Sequence, residues 1–330
     1  MLSVAIVGCE QIHAQDYLDT CLADPRVRVA AVASERDPAR ARRLAAPHGL
    51  PALDDFIRLP EVDLAFVTTA IDDHEAAVTA LLPRARHLFV EKPLAVSAAR
   101  ATALAERLAD YSCFSGFYLR TDPALQRLRQ LAREGAIGQL THLSLTAGHP
   151  GLLEGWLSAW PAHLDEARMG YGAFGDLAVH LLDFSAWLTG RPLTLGYCRL
   201  ERDARWPLDH GGEALLMAAD LPIHLRASAT LRGPRLAVRL DGEAGTLELS
   251  AGRLLLHPAN GDLQVLAEGI APGVPQGARA VFDHLLGQPR PELATLADAL
   301  AANRLLDEHY GRTGPGDPEA ATTGGPRRPG

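Results

Sequence analysis

Cysteine is scarce: four in 330 residues, at positions 9, 21, 113 and 198. None forms a CxxC pair, which argues against a disulfide framework and a structural zinc site. Long runs of basic residues are absent too, and the formal net charge is −8. Nothing in the chain could therefore track a phosphate backbone, and no nucleic-acid partner is expected. No apolar run approaches the roughly 20 residues of a membrane span, so no membrane partner is expected either. The apolar start, residues 1–8, lacks a basic n-region and a small-residue cleavage site. It reads as a first strand rather than a signal peptide. These absences predict a soluble protein of a reducing cytoplasm. Hydrophobic residues still make up 47% of the chain, enough for more than one core.

What is present alternates. Continuous apolar runs at 2–7, 27–33, 62–68 and 88–90, with a fifth strand at 113–117, have the composition of parallel strands buried on both faces. Between them, 14–23, 39–46, 73–82 and 97–109 have helical character, two of them behind the N-caps Asp37 and Ser97. This predicts an α/β N-terminal domain over residues 1–120, a Rossmann-type, doubly wound parallel sheet. After residue 120 come a helix at 123–134, an alternating strand at 140–146 and a long helix at 173–188. Strand-like runs then extend to residue 265, and a last helix spans 293–310. This predicts an α+β second domain over 121–310 with a mostly antiparallel sheet, for substrate and for self-association. The Gly/Pro/Thr/Arg-rich tail, 311–330, is expected to be mobile.

Three places carry chemistry. In Phe89-Val90-Glu91-Lys92-Pro93, a strand stops at a proline that cannot join a ladder. That puts Glu91 and Lys92 at the carboxyl end of a parallel sheet, where such sheets bind ligands. The first βα turn, Val7-Gly8-Cys9-Glu10-Gln11-Ile12-His13, keeps only one of the three glycines of a dinucleotide fingerprint. Its Gly8, Cys9, Gln11 and Ile12 are the candidates to face a dinucleotide, and Glu10 is expected to point out of the turn. At the end of the second strand, Glu35 can hold ribose hydroxyls and repel a 2′-phosphate. This favours NAD(H) over NADP(H), although the neighbouring Arg36 could pair a 2′-phosphate or stack on adenine. Asp176 and His180 are four apart on a helical stretch, so they share a face as an acid/base pair. No second His or Cys lies at ligand spacing beside His180, so no metal is expected.

These motifs, in this order, resemble the Gfo/Idh/MocA family of nicotinamide-dependent oxidoreductases (glucose–fructose oxidoreductase and inositol 2-dehydrogenase among them). Glu91-Lys92-Pro93 is similar to the family's Glu-Lys-Pro motif. Residues 116–120 and 134–138 are similar to its domain crossover. Residues 172–183 are similar to its Asp-x-Gly-x-His helix, with Ala178 replacing the glycine. The resemblance implies that Lys92 contacts nicotinamide ribose and the reacting oxygen, that His180 is the acid/base, and that Asp176 orients substrate and base. It implies that Glu91, Thr68, Thr69 and His74 line the cofactor side, and that Arg120 and His149 face substrate. Ala70 and Ile71 depart from the family's usual proline and Asn/Asp. The implied activity is hydride transfer to or from a secondary alcohol or ketone of a sugar, cyclitol or related polyol, in a homo-oligomer. A non-redox binding or regulatory homologue and an NAD-dependent glycosidase remain as alternatives, and specificity is expected on the loop at 149–167.

Overall fold

The computed structural model describes residues 1–312; the expectation for the rest of the tail lies outside the described residues. Six parallel strands form the first sheet: β1 (Leu2–Val7), β2 (Val27–Ala33), β3 (Ala52–Leu53), β4 (Val62–Val67), β5 (Ala85–Val90) and β6 (Cys113–Ser115). Their order is β3-β2-β1-β4-β5-β6. The order reverses between β1 and β4, so a crevice opens at their carboxyl ends. Side chains alternate between faces. Val4 and Ile6 of β1 face one core, Ala5 and Val7 the other.

Helices α1 (Ala14–Ala23) and α2 (Pro38–Ala45) cover the first face, and α3 (His74–Leu81) and α4 (Ala98–Arg107) the second. Asp37 caps α2 by accepting from Arg40 N at 2.8 Å, with Pro38 in the first turn. Ser97 caps α4 in the same way, accepting from Arg100 N at 3.3 Å. Helix α5 (Pro123–Arg133) then leads into an eight-stranded sheet. Its strands are β7 (Leu140–Gly148), β8 (Thr194–Glu201), β9 (Gly211–Ala218), β10 (Leu221–Ser228), β11 (Leu236–Gly242), β12 (Gly245–Ser250), β13 (Arg253–Pro258) and β14 (Gln264–Ala267). The order is β14-β13-β12-β11-β7-β10-β9-β8, and only the β7–β10 pairing is parallel. A one-turn helix α6 (Glu166–Met169) precedes α7 (Ala173–Thr189), which lies on β7, β9 and β10.

The chain then returns to the first sheet, which a division at residue 120 does not anticipate. Helix α8 (Val274–Leu285) packs on α1, with Phe282 edge-on to Phe66 of β4 at 6.1 Å. Sequence reading missed α8 because Pro272, Gly273 and Pro275 look like a loop. Proline is tolerated in a first helical turn, where its missing N–H is not needed. Helix α9 (Leu296–His309) packs on both α4 and α7 and so ties the two sheets together.

Candidate active site

Strand β5 stops at Val90, and the next two side chains part company as the pleat requires. Glu91 turns inward and is 1% exposed. It accepts from the Tyr17 hydroxyl, and its Oε2 accepts from Lys92 N at 2.9 Å. The expected cofactor contact is therefore a buried prop beneath the strand end. A Cβ on Gly116 would come within 2.9 Å of Glu91 Oε2, so glycine leaves that carboxylate its space. Lys92 turns the other way, toward α7. Its Nζ donates to Asp176 Oδ1 at 2.6 Å and to the Asp176 carbonyl oxygen at 3.0 Å. It is also the only lysine in the sequence, in which every other strong cation is arginine.

Helix α9 fixes both partners. After the cis Lys92–Pro93 peptide, Leu94 N donates to Asn303 Oδ1 at 2.9 Å and Asn303 Nδ2 donates to Ala95 O at 2.7 Å. Ala98 N donates to Asp307 Oδ2 at 2.7 Å. At the start of α7, the Tyr310 hydroxyl accepts from Gly172 N and Gly175 N, each at 3.0 Å, and donates to Asp209 Oδ2 at 2.9 Å. Asp209 Oδ1 accepts from Phe174 N at 2.7 Å. The orphan N–H groups of the helix start are thus satisfied from another element. A Cβ on Gly172 would lie 1.8 Å from Asp209 Oδ2, so nothing larger than glycine fits there.

His180 sits one turn beyond Asp176 in α7, 7% exposed, its Nδ1 without a partner among the described residues. Phe117 and Tyr118 flank its ring at 6.2 and 4.8 Å. Burial, and then the Lys92 ammonium, push the imidazole well below its usual pKa; Asp176 pulls the other way and loses. His180 is accordingly neutral. Burial alone would raise the Asp176 carboxyl, but the Lys92 ammonium, through its charge and its hydrogen bond, outweighs it and holds the group ionised. Together these residues line a cavity of about 660 Å³ where the carboxyl-end loops of the first sheet meet one end of the second.

The loop between β7 and α7 forms the cavity's lip. The ring of His149 packs at a tilt against Trp156 at 4.8 Å, and its Nδ1 accepts from Gly151 N at 3.1 Å. That bond assigns the ring proton to Nε2. Arg120, expected to face substrate, does not reach the cavity. It is 5% exposed and holds Asp183 through two bonds of 2.6 and 2.8 Å, with Asp298 at 3.0 Å. The 3₁₀ turn Tyr118–Thr121 sends Tyr118 and Leu119 to the cavity and Arg120 behind it.

On the cofactor side, Gly8 has φ +83°, and a Cβ there would lie 2.3 Å from Thr69 N. Thr68 Oγ1 donates to Gly8 O at 2.7 Å, while Gln11 Nε2 and Thr69 Oγ1 are buried without partners among the described residues. Cys9 is buried, and Ile12 and His13 stand on the cavity rim. Glu10 does not point out of the turn. Its Oε2 accepts from Cys9 N and its Oε1 from the Ser34 hydroxyl, both at 2.9 Å. Backbone N–H groups of such a turn are natural anion ligands, so the carboxylate takes one of them itself. Glu35 is exposed and its Oε1 accepts from Phe56 N at 3.0 Å; Arg36 pairs with Asp73 at 2.7 Å. His74 is fully buried, its ring bonded to the Leu94 carbonyl at 3.1 Å, and it braces the Lys92 loop rather than lining the cavity. The unused polar atoms of Gln11 and Thr69 fit a dinucleotide. The Glu10–Cys9 bond is a contact it would have to displace or skirt.

A family model described as an oxidoreductase family with an NAD-binding Rossmann fold matches residues 2–117, and a GFO/IDH/MocA C-terminal domain matches residues 125–248. The chain belongs to the Gfo/Idh/MocA family. Among its relatives, a dTDP-3,4-didehydro-2,6-dideoxy-α-D-glucose 3-reductase of Streptomyces antibioticus is 28% identical over 78% of this chain and 80% of its own. A myo-inositol 2-dehydrogenase of Thermotoga maritima is 29% identical, over only 41% of this chain and 39% of its own. The crystal structure of an oxidoreductase from Agrobacterium radiobacter in complex with NAD+, L-tartaric acid and magnesium shares the fold. Its TM-score is 0.79 at 21% identity, covering 94% of this chain and 96% of that one.

Cavity-lining residues that sequence reading missed are His13, Tyr118, Trp156, His163 and Arg235. Tyr118 was within reach, two positions before Arg120 in the crossover segment. Trp156 and His163 lie in the loop marked for specificity, but no periodicity says which loop side chains turn inward. Among the described residues no group of three or more His, Cys, Asp or Glu converges to hold a metal ion, and no helix is long and apolar enough to cross a membrane.

Proposed function

We propose that this protein is an NAD(H)-dependent dehydrogenase or reductase acting on a secondary alcohol or ketone of a sugar, cyclitol or related polyol. The observation that carries the reading is the Lys92 Nζ–Asp176 Oδ1 contact of 2.6 Å, made across the two sheets' domains with a neutral His180 one turn away in the same cavity. In the oxidative direction His180 removes the hydroxyl proton, and the Lys92 ammonium stabilises the alkoxide charge that develops. In the reductive direction the imidazolium returns that proton. Asp176 holds the ammonium in place and keeps its charge compensated while the site is empty of substrate. Gly8, Gln11, Ile12, Thr68 and Thr69 would hold the dinucleotide, whose nicotinamide accepts or supplies the hydride when bound. Glu35 and Arg36 stand at the ribose end. With Arg36 committed to Asp73, Glu35 favours NAD(H) over NADP(H), and Glu35→Ala should narrow that preference.

The chain's four free cysteines suit a reducing cytoplasm. Tyr197 and Leu215, exposed on the outer face of the second sheet, suit pairing of two copies through that face. The decisive experiment titrates the purified protein with NAD(H) and NADP(H), then assays a panel of polyols and sugars for reduced nicotinamide. Turnover of a panel member with NAD+ supports the reading. Binding of neither dinucleotide would replace it with a non-redox binding or regulatory role, for which the Glu10–Cys9 contact is the supporting observation.

A further inference from the structure

Arg120 does not reach the cavity, but another arginine does. Arg235 lines it from the connection between β10 and β11. Its backbone is held in place. Pro234 precedes it, its carbonyl accepts from Gly148 N at 3.0 Å, and Leu236 then begins the pairing of β11 with β7, opposite Ala147. Its side chain is exposed, so a ligand in the cavity can reach the guanidinium. Of the lining residues from 234 to 275, Arg235 alone carries a polar side chain; Leu236, Leu249, Ile270 and Val274 are among the others. A single cation thus stands in an apolar wall.

The other charged groups on the cavity are already matched. Lys92 holds Asp176 at 2.6 Å, and Asp16 is bonded to the His13 ring at 2.9 Å. Among the described residues no carboxylate lies within 4.0 Å of the Arg235 guanidinium. Its charge is nevertheless felt inside. After burial, which lowers the His149 pKa, and Asp176, which opposes, Arg235 is the next charge to act on that ring, ahead of Lys92. The charges that act on His180 are Lys92, Asp176 and His13, and Arg235 is not one of them. It therefore faces the cavity on the His149 side, apart from the reacting groups. We propose that Arg235 is a specificity-determining residue that binds an oxyanion, a carboxylate or a phosphate, carried by the polyol away from its reacting carbon. This rests on the reading of the site as a polyol dehydrogenase.

The chemistry of the guanidinium selects the partner. It is always charged, and its planar fork presents N–H donors in pairs that match two oxygens of a carboxylate or a phosphate. A neutral hydroxyl matches neither the pair nor the charge. Being exposed, the guanidinium keeps its hydration until an anion replaces it, so standing without a protein partner costs it little. The apolar wall around it strengthens the attraction to an anion that enters, because it displaces high-dielectric water from the path between the charges. Lys92 does not compete for the same group. Its ammonium is held by Asp176 and serves the reacting oxygen. The two cations divide the work: Lys92 meets the charge that develops during the reaction, and Arg235 meets a charge the substrate carries throughout.

The test uses the full chain and matched compounds: neutral sugars and polyols, the same compounds with a terminal carboxylate, and the same with a terminal phosphate. Wild type is compared with Arg235→Gln and Arg235→Lys. Dinucleotide affinity is titrated first. Binding of each compound to the dinucleotide-loaded protein is then measured by calorimetry, and turnover is followed separately. The expected result is an anionic member whose kcat/KM exceeds that of its neutral counterpart by about 10- to 100-fold, the worth of charge-assisted hydrogen bonds. The difference should lie in KM, shrink with added salt, and collapse in Arg235→Gln with dinucleotide affinity unchanged. Arg235→Lys should keep part of it, since an ammonium has the charge without the fork. The carboxylate and phosphate arms tell which oxyanion the site takes. Neutral members that turn over as well as both anionic forms overturn this proposal alone. So does an equal fall for charged and neutral members in Arg235→Gln, or a matching loss of dinucleotide affinity, since the residue would then serve the fold or the cofactor. Binding of an anionic member that depends on Arg235, with turnover of no compound, upholds the anion site and overturns the dehydrogenase reading. Binding of no compound overturns both.

Discussion

At the carboxyl end of β5 opposite charges meet across the two domains. At the end of β1, two strands away in the same sheet, a carboxylate folds back onto its own turn. Lys92 is drawn to Asp176, and burial, aided by the Lys92 charge, keeps His180 neutral with its buried Nδ1 unpartnered among the described residues. Glu10 spends both oxygens on Cys9 N and Ser34 Oγ, in the place where a bare turn would present its N–H groups outward. The first region is a charge-balanced site held ready by α9. The second is a turn that satisfies itself. In the proposed reaction the chemistry at β5 would need specific side chains, whereas dinucleotide binding at β1 would draw largely on backbone and dipole, which other residues can supply.

The largest effects should come from breaking the β5 region. Lys92→Ala and His180→Ala should each lower turnover by about 10²–10⁴-fold while dinucleotide still binds. The double variant should lose less than the product, since the two groups act on one oxygen and its proton. Lys92→Arg should not restore activity. A planar guanidinium cannot replace a compact ammonium 2.6 Å from Asp176 in a site with 5% of the lysine side chain exposed. A His180→Ala protein with near-normal turnover across pH would move the proton to another group. Because the chain has no other lysine, amine-directed labelling at Lys92 competes only with the N-terminus. Substrate protection of that label is a direct check on occupancy.

The next effect tests whether α9 holds this region ready. Asn303→Ala leaves Leu94 N–H and Ala95 C=O buried without their partner. It should cost about 1–3 kcal/mol of unfolding free energy by denaturant titration, and it should reduce kcat by loosening the loop behind Lys92. Unchanged stability and kcat together would show that the loop holds itself.

The same contrast explains what could be read from sequence. β1 and β2 were legible to the residue because apolar runs buried on both faces end abruptly at Gly8 and Ser34. The convergence of Lys92, Asp176 and His180 on one cavity was legible because a strand end and a helical repeat of four fix where those side chains point. Glu91 was misread although the information was there: neighbours on a strand face opposite ways, so Lys92 in the cavity puts Glu91 in the core. Arg120 was misread because a 3₁₀ turn, not a strand or an α-helix, sets its direction, and its acid partner Asp183 lies 63 positions away. Glu10 was misread because the hydroxyl that holds it, Ser34, comes from the next strand. His163 carries no signal at all, since a loop without periodicity hides which side chains face inward.

At the β1 turn the expected effect is smaller and of opposite sign. Glu10→Gly frees Cys9 N–H and removes a negative charge from the turn, so dinucleotide affinity should rise by about fivefold, the worth of roughly one hydrogen bond. Glu10→Gln separates charge from contact. If Gln gives the same gain as Gly, the charge is the obstacle; if it gives none, the occupied N–H is. A marked loss of affinity in either variant would make Glu10 itself a ligand of the dinucleotide, and the two regions would no longer differ in kind.

The smallest effect concerns pH and distinguishes the regions by stability rather than by activity. Burial holds His149, His163 and His180, all on the cavity, below their usual pKa, His163 down to about 4 from an ordinary 6.5. A histidine depressed in the folded state takes up fewer protons than in the unfolded chain between those two values. Stability is therefore full above about pH 6.5 and declines as pH falls toward 4. Asp183, pushed up by burial to about 7 against the pull of Arg120, works in the opposite sense and flattens the total. A difference measurement removes that background. The thermal midpoint of His163→Phe should fall less than that of wild type between neutral pH and pH 5, because the variant has lost one group that resists protonation. Parallel curves for the two proteins would mean that the ring is already protonated, or already partnered, in the folded state, and the cavity at β5 would not be the neutral, ligand-ready site described above.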